Sequence, residues 1–156
     1  MFRLESNAEG VLLRLMNKIS RAEDDLQENL REAAHDGLAL IANRIQQRGQ
    51  GQNGQRLRTK ARKRVGAYSA YYAGKRAAAG RQVDRVDLTN TGRLFADWKV
   101  LSSSARRATG GFDSVESADK AEYLEDYYGP IFGLSPDEQA VVVGGVEERI
   151  HVTLNQ

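Results

Sequence analysis

The sequence predicts one α+β domain, with a long N-terminal helix, a small antiparallel sheet with short helices, and a C-terminal helix. Three observations predict it. An apolar stripe at helical spacing runs from Leu12 to Ile45. A helix-start signature stands at Ser135-Pro136-Asp137-Glu138. Between them, short apolar segments are separated by Gly, Asn and Thr. A chain of 156 residues is the usual size of a single domain and buries a core without covalent staples. The expected division of residues 1–156 is a long helix over 1–48, a mobile basic loop over 49–66 and an α+β core over 67–156.

The stripe comprises Leu12, Leu15, Met16, Ile19, Ala22, Leu26, Leu30, Ala33, Ile41 and Ile45, spaced by three and four apart from the adjacent pair Leu15-Met16 and the gap across Gly37-Leu38. Ser6 and Asn7 are candidate caps, Gly37 is a candidate bend, and the helix is expected to stop near Arg48-Gly49. Gly49-Gln50-Gly51-Gln52-Asn53-Gly54-Gln55 has high backbone entropy and no apolar anchor, so it is expected to order only against a partner. A short helix over Ala67 to Ala79, presenting Tyr68, Tyr71 and Tyr72, is expected to stop at Gly80.

Thr89-Asn90-Thr91-Gly92 offers a cap and a turn to a segment buried by Leu94, Phe95, Trp98, Val100 and Leu101, helical at first and extended at its end. Ala105 to Ser114 reads as a strand pair turning at Gly110-Gly111. Ala118 to Tyr128 reads as a helix stopped by Gly129-Pro130. The final helix is expected to begin at Pro136. Ser135 is its N-cap and Glu138 closes a capping box, while Val142, Val146 and Ile150 share one face across Gly144-Gly145.

Composition removes several functional classes. The chain has no cysteine, so it offers no disulfide, thiolate metal site or cysteine nucleophile. Only His35 and His151 supply imidazoles, with no nucleophile motif beside either, and both read as surface histidines. Adjacent acidic pairs such as Asp24-Asp25 and Glu147-Glu148 diverge on a helix and do not flank one substrate bond. The Gly/Gln loop lacks the Gly-Lys-Ser/Thr ending of a phosphate-binding loop. The expectation is therefore no catalytic site, no metal and no cofactor. No apolar run approaches the roughly 18 residues of a membrane span, and Met1-Phe2-Arg3-Leu4-Glu5 lacks an apolar signal core, so the protein is expected to act where it is made.

The net charge of +2 conceals segregation. Residues 37–83 carry eleven basic and no acidic side chains, whereas residues 113–148 carry ten acidic side chains against the single Lys120. Such blocks neutralise one another within a subunit, between copies, or against partners such as DNA. Candidate DNA or subunit contacts are Arg56, Arg58, Lys60, Arg62, Lys63 and Arg64. Glu122, Glu125, Asp126, Asp137 and Glu138 form a candidate acidic subunit-contact surface. Stacking of Tyr68, Tyr71 and Tyr72 on bases competes with a core or interface role for the same rings.

One resemblance rests on these segments. Lys60-Ala61-Arg62-Lys63-Arg64, Tyr68 to Tyr72, Lys75, Gly80-Arg81-Gln82 and Val86-Asp87-Leu88-Thr89-Asn90-Thr91-Gly92-Arg93-Leu94 resemble the centre of tailed-phage neck and tail-completion proteins. Ala121-Glu122-Tyr123-Leu124-Glu125 and Gly129-Pro130-Ile131-Phe132-Gly133-Leu134-Ser135-Pro136-Asp137-Glu138 are similar to the closing segment of the virion morphogenesis families. The likeness spans about residues 57–154. The chain departs from it in lacking an Arg between Pro130 and Phe132 and in its longer first helix. The resemblance implies a non-enzymatic virion subunit, assembled in the host cytoplasm into a homo-oligomeric ring of the neck. That ring would join the portal or an adaptor to tail proteins, with passing contact to genomic DNA and none to a membrane. Two rival expectations are a DNA-binding packaging or regulatory protein using residues 44–64, and a virion nuclease or cell-wall hydrolase, for which the sequence offers no coherent site.

Overall fold

The computed structural model describes residues 8–154. In chain order it contains α1 (Ala8–Asn43), a π-helical turn (Arg44–Arg48), β1 (Arg64–Val65), β2 (Tyr68–Ser69) and α2 (Ala70–Ala78). There follow α3 (Arg93–Ala96), β3 (Trp98–Ser103), β4 (Ala108–Phe112), α4 (Val115–Tyr128) and α5 (Pro136–Leu154). The α+β class is as expected, but the strands form two separate antiparallel ladders, β1 with β2 and β3 with β4.

α1 is unbroken through Gly37, and at 1.5 Å per residue it is about 54 Å long. Its candidate caps Ser6 and Asn7 lie outside the described residues. A Cβ on Gly37 would stand 3.5 Å from Leu134 and 3.7 Å from Val142, so this glycine faces both side chains at ordinary van der Waals distance. Gly49 terminates the π turn with φ +61°, its N–H donating to Ile45 O at 2.9 Å. α5 runs antiparallel to α1. Glu138 at its start pairs with Arg44, and Arg149 near its end pairs with Glu32, at 3.1 Å, and with Asp36.

The core gathers Ile41 and Ile45 with Leu57, Ala67, Tyr68, Ala73, Val86 and Ile131. Full burial of an aliphatic side chain such as Ile45 or Ile131 contributes about 1.5–3 kcal/mol, so the π turn that follows α1, with Ile41 just before it, anchors the core. A second cluster stacks Trp98, Phe112 and Phe132 with ring centroids 4.6–5.7 Å apart. The Trp98 indole N–H donates to Leu38 O at 3.1 Å, tying the β3–β4 hairpin to α1.

Helix starts follow local chemistry. At α5, Ser135 N–H donates to the Glu138 carboxylate at 2.8 Å, and Glu138 N–H donates to Ser135 Oγ at 3.3 Å, completing the expected capping box. α4 starts earlier than expected, at Val115. Ser114 caps it by accepting from Ser117 N–H at 3.2 Å, and Ser114 itself donates to Asp97 at 2.7 Å. The Ser114 backbone N–H also donates to Asp97, at 2.8 Å, and these two bonds to the carboxylate hold Asp97 below the usual carboxylate range.

Several expectations are corrected. The helix placed at Ala67 begins at Ala70, because Tyr68-Ser69 pairs with Arg64-Val65 and the Ser69 side chain becomes the cap. The short α3 has Gly92, at φ +80°, as its N-cap residue, and the Thr91 hydroxyl one residue earlier accepts from Arg93 N–H at 3.5 Å. The hairpin turns at residues 104–107, not at Gly110-Gly111, which lie within β4. Leu38 passes over Gly110 so closely that a Cβ there would meet its Cδ2 at 2.7 Å. Leu101, expected to be buried, falls at the register shift between Val100 and Ser102 and is 48% exposed.

The Gly/Gln loop, expected to stay mobile until a partner ordered it, is instead bound within the chain's own fold. Gln52 N–H donates to Pro130 O at 2.9 Å, and the Gln52 and Gln55 side-chain amides donate to Leu134 O and Pro130 O, each at 3.0 Å. Leu57, 1% exposed, supplies the apolar anchor from just beyond the loop, and its N–H donates to Gly49 O at 2.8 Å.

Candidate functional site

Two buried arginines organise the surfaces around them. Arg44, 6% exposed, donates to the Glu138 carboxylate, to Ile131 O and to Gly133 O, fastening the 130–134 segment to the end of α1. Burial pulls its pKa down while Glu138 pulls it up, and a guanidinium remains charged under both. Glu125 accepts from Ile131 N–H and Phe132 N–H at 2.9 Å each, holding the same segment from α4. Arg76, 3% exposed, makes two contacts to Asp87 at 2.9 and 3.1 Å, donates to Thr89 O at 2.8 Å, and lies 4.5 Å from the Tyr68 ring centroid. These cations are structural clasps.

The basic segment lies on the surface. Arg56, Arg58, Lys60, Arg62, Lys63 and Arg64 are all exposed, and among the described residues none forms an ion pair with a carboxylate. Its backbone is fixed from below. Thr59 N–H donates to Ala67 O at 3.1 Å, Lys60 N–H to Tyr127 Oη at 2.8 Å, and Ala70 N–H to Lys63 O at 3.0 Å. Lys60 Nζ lies 4.9 Å from the Tyr127 ring centroid. Arg56, Arg58 and Arg64 line a concavity of about 350 Å³ together with Asp84. Of the tyrosines considered for stacking, Tyr68 is buried, with its hydroxyl pKa pushed up by burial, and Tyr72 packs edge-on to it at 5.4 Å. Tyr71 is exposed, beside Lys75.

The acidic surface is smaller than expected. Glu122, Asp126 and Asp137 are exposed, but Glu125 and Glu138 are committed to the internal bonds already described, so neither is free to meet a neighbour. Between the basic block 37–83 and the acidic block 113–148, Arg44–Glu138 is the one ion pair among the described residues. Among the described residues, the blocks therefore do not neutralise each other broadly within the chain. No protein-family model, curated protein or solved structure matches this chain.

Two apolar surfaces were not marked out in the sequence. Every side chain from Val11 to Asp25 on α1 is exposed, among them Leu12, Leu15, Met16 and Ile19 at 53–59% of full exposure. Further along the same helix, a groove of about 540 Å³ opens between α1, α5 and the β3–β4 hairpin. Its floor runs from Leu30 to Ile41. Trp98, Phe132 and Leu134 form one wall, and Val142, Val143 and Val146 form the other. The helical stripe was legible; which half of it the subunit covers was not. His35 and His151 are both at the surface. Among the described residues no group of three or more His, Asp or Glu side chains is placed to hold a metal ion, and no helix is long and apolar enough to cross a membrane.

Proposed function

We propose that this chain is a non-enzymatic structural subunit of a tailed-phage particle, forming a homo-oligomeric ring in the neck that joins the portal side of the capsid to the tail. The observation that carries the assembly half of this reading is the projecting part of α1. Six large apolar side chains on one helix, from Val11 to Ile19 and each more than half exposed, are a surface that monomers seldom leave in water and that assembling subunits use. The phage half rests on the resemblance over residues 57–154. The ring, its portal and tail partners and its place in the virion follow from that resemblance.

The test is the native mass of the purified protein at micromolar concentration, alone and with portal protein added. A closed oligomer larger than a dimer is expected. L12Q/L15Q/I19Q should reduce it to a monomer of unchanged helicity, because these side chains lie outside the subunit's own core. A wild-type monomer under both conditions would refute the reading.

A second reading, a DNA-binding packaging or regulatory accessory protein, is favoured by the six exposed cations of 56–64 and the arginine-lined concavity among them. Duplex DNA binding at low salt should then weaken as salt rises, and each phosphate contact removed by an Arg-to-Ala change should flatten the log–log salt slope by about 0.9. Absence of binding at low salt removes this reading.

A further inference from the structure

The groove beside α1 cannot be filled by the exposed half of the same helix. α1 is its floor and runs on without a break, so the segment before Leu26 continues along the helix axis beyond the groove's end at Leu30. Antiparallel α5 gives no cover there. Its Arg149 is level with Glu32 and Asp36, which leaves too few residues before Leu154 to reach Ala22.

We infer that the Val11–Ala22 segment of one copy docks into the α1/α5/hairpin groove of the next copy, head to tail. This rests on the ring reading above and names its contact. Leu12, Leu15, Ile19 and Ala22 occupy the face of α1 that Leu26, Leu30, Ala33 and Gly37 continue, at steps of three and four. One half of a single stripe is thus covered by its own subunit and the other half is bare. The dimensions agree: Val11 to Ala22 spans about 17 Å of helix, and the groove floor from Leu30 to Ile41 spans about 17 Å. Ala33, Ala34 and Ala108 line the groove with small side chains, leaving room for a helix bearing larger ones.

Charge is complementary as well. Residues 10–22 carry Arg14, Lys18 and Arg21 and no acid, while the single charged residue lining the groove is Glu147, followed on α5 by Glu148. Helix and groove are different surfaces of one chain, so the contact is heterologous. It repeats from copy to copy and closes into a ring when the rotation permits.

The absence of cysteine makes disulfide trapping specific. Leu15 and Val143 are each 54% exposed, so L15C and V143C leave the core untouched. Mild oxidation of the full-length L15C/V143C protein should produce a ladder of covalent multimers on a denaturing gel, while each single variant stays monomeric on that gel. A covalent dimer from L15C alone, meaning α1 pairs with α1, or from V143C alone, overturns the inference. A ring by native mass with no ladder from the double variant also overturns it, leaving the ring reading in place. Monomeric native mass with no ladder removes both.

Discussion

Replacing Arg44 with Met is expected to lower the stability of the fold by about 3–5 kcal/mol, the usual consequence of removing one partner of a buried ion pair. Three acceptors lose their donor at once: the Glu138 carboxylate, Ile131 O and Gly133 O. The Glu138 side chain is only 11% exposed, and it retains the Ser135 N–H, which is one hydrogen bond for a charge that had two partners. Adding E138Q removes the stranded charge while keeping a side-chain oxygen for the cap, so R44M/E138Q should recover about 1 kcal/mol or more of the loss. Urea unfolding of the wild type and both variants, under conditions that keep them monomeric, measures the three stabilities. A loss below about 1 kcal/mol for R44M would mean that this arginine does not hold the 130–134 segment.

Gly66→Ala should be nearly as damaging, through the backbone rather than through charge. Gly66 has φ +62°, and a Cβ there would stand 2.1 Å from Val83 O, the carbonyl that accepts from Ala67 N–H. The left-handed conformation costs an alanine about 1–2 kcal/mol, and displacing Val83 O leaves a buried donor unpaired at a further cost of about 1–3 kcal/mol. Gly54→Ala separates the two contributions. Gly54 also has positive φ, at +75°, with nothing within 4 Å of its Cβ position, so G54A should show the conformational cost alone. Equal losses for G66A and G54A in denaturant unfolding would mean that the Val83 contact carries no energy.

The candidate surfaces were legible to different depths. The six cations of 56–64 were found from sequence and are exposed, because a dense basic run contains no acid to neutralise it locally. The acidic set was read less well. Glu125 and Glu138 look like their exposed neighbours Asp126 and Asp137, and what distinguishes them is the backbone N–H groups and the guanidinium that the fold brings within reach. The groove was invisible for a related reason. Gly110 sits within a strand beneath Leu38 rather than at a turn, so a glycine pair that reads locally as a turn serves a contact with a helix some seventy residues earlier.

The sequence by itself determined where α5 begins, where the first long helical stretch stops and which face of α1 is apolar. The Ser135–Glu138 box, the Gly49 stop and the stripe from Leu12 to Ile45 all act over a few residues, within a single turn or its repeat. Only the tertiary structure decided what lies opposite those faces. It clasps the Gly/Gln loop through carbonyls 75 to 82 residues away and covers one half of the α1 stripe while leaving the other bare. The physical reason is that periodicity records a need for burial without naming the partner. A hydrogen bond or apolar contact between distant segments depends on the closed chain, and among the described residues nothing covers the bare half of α1.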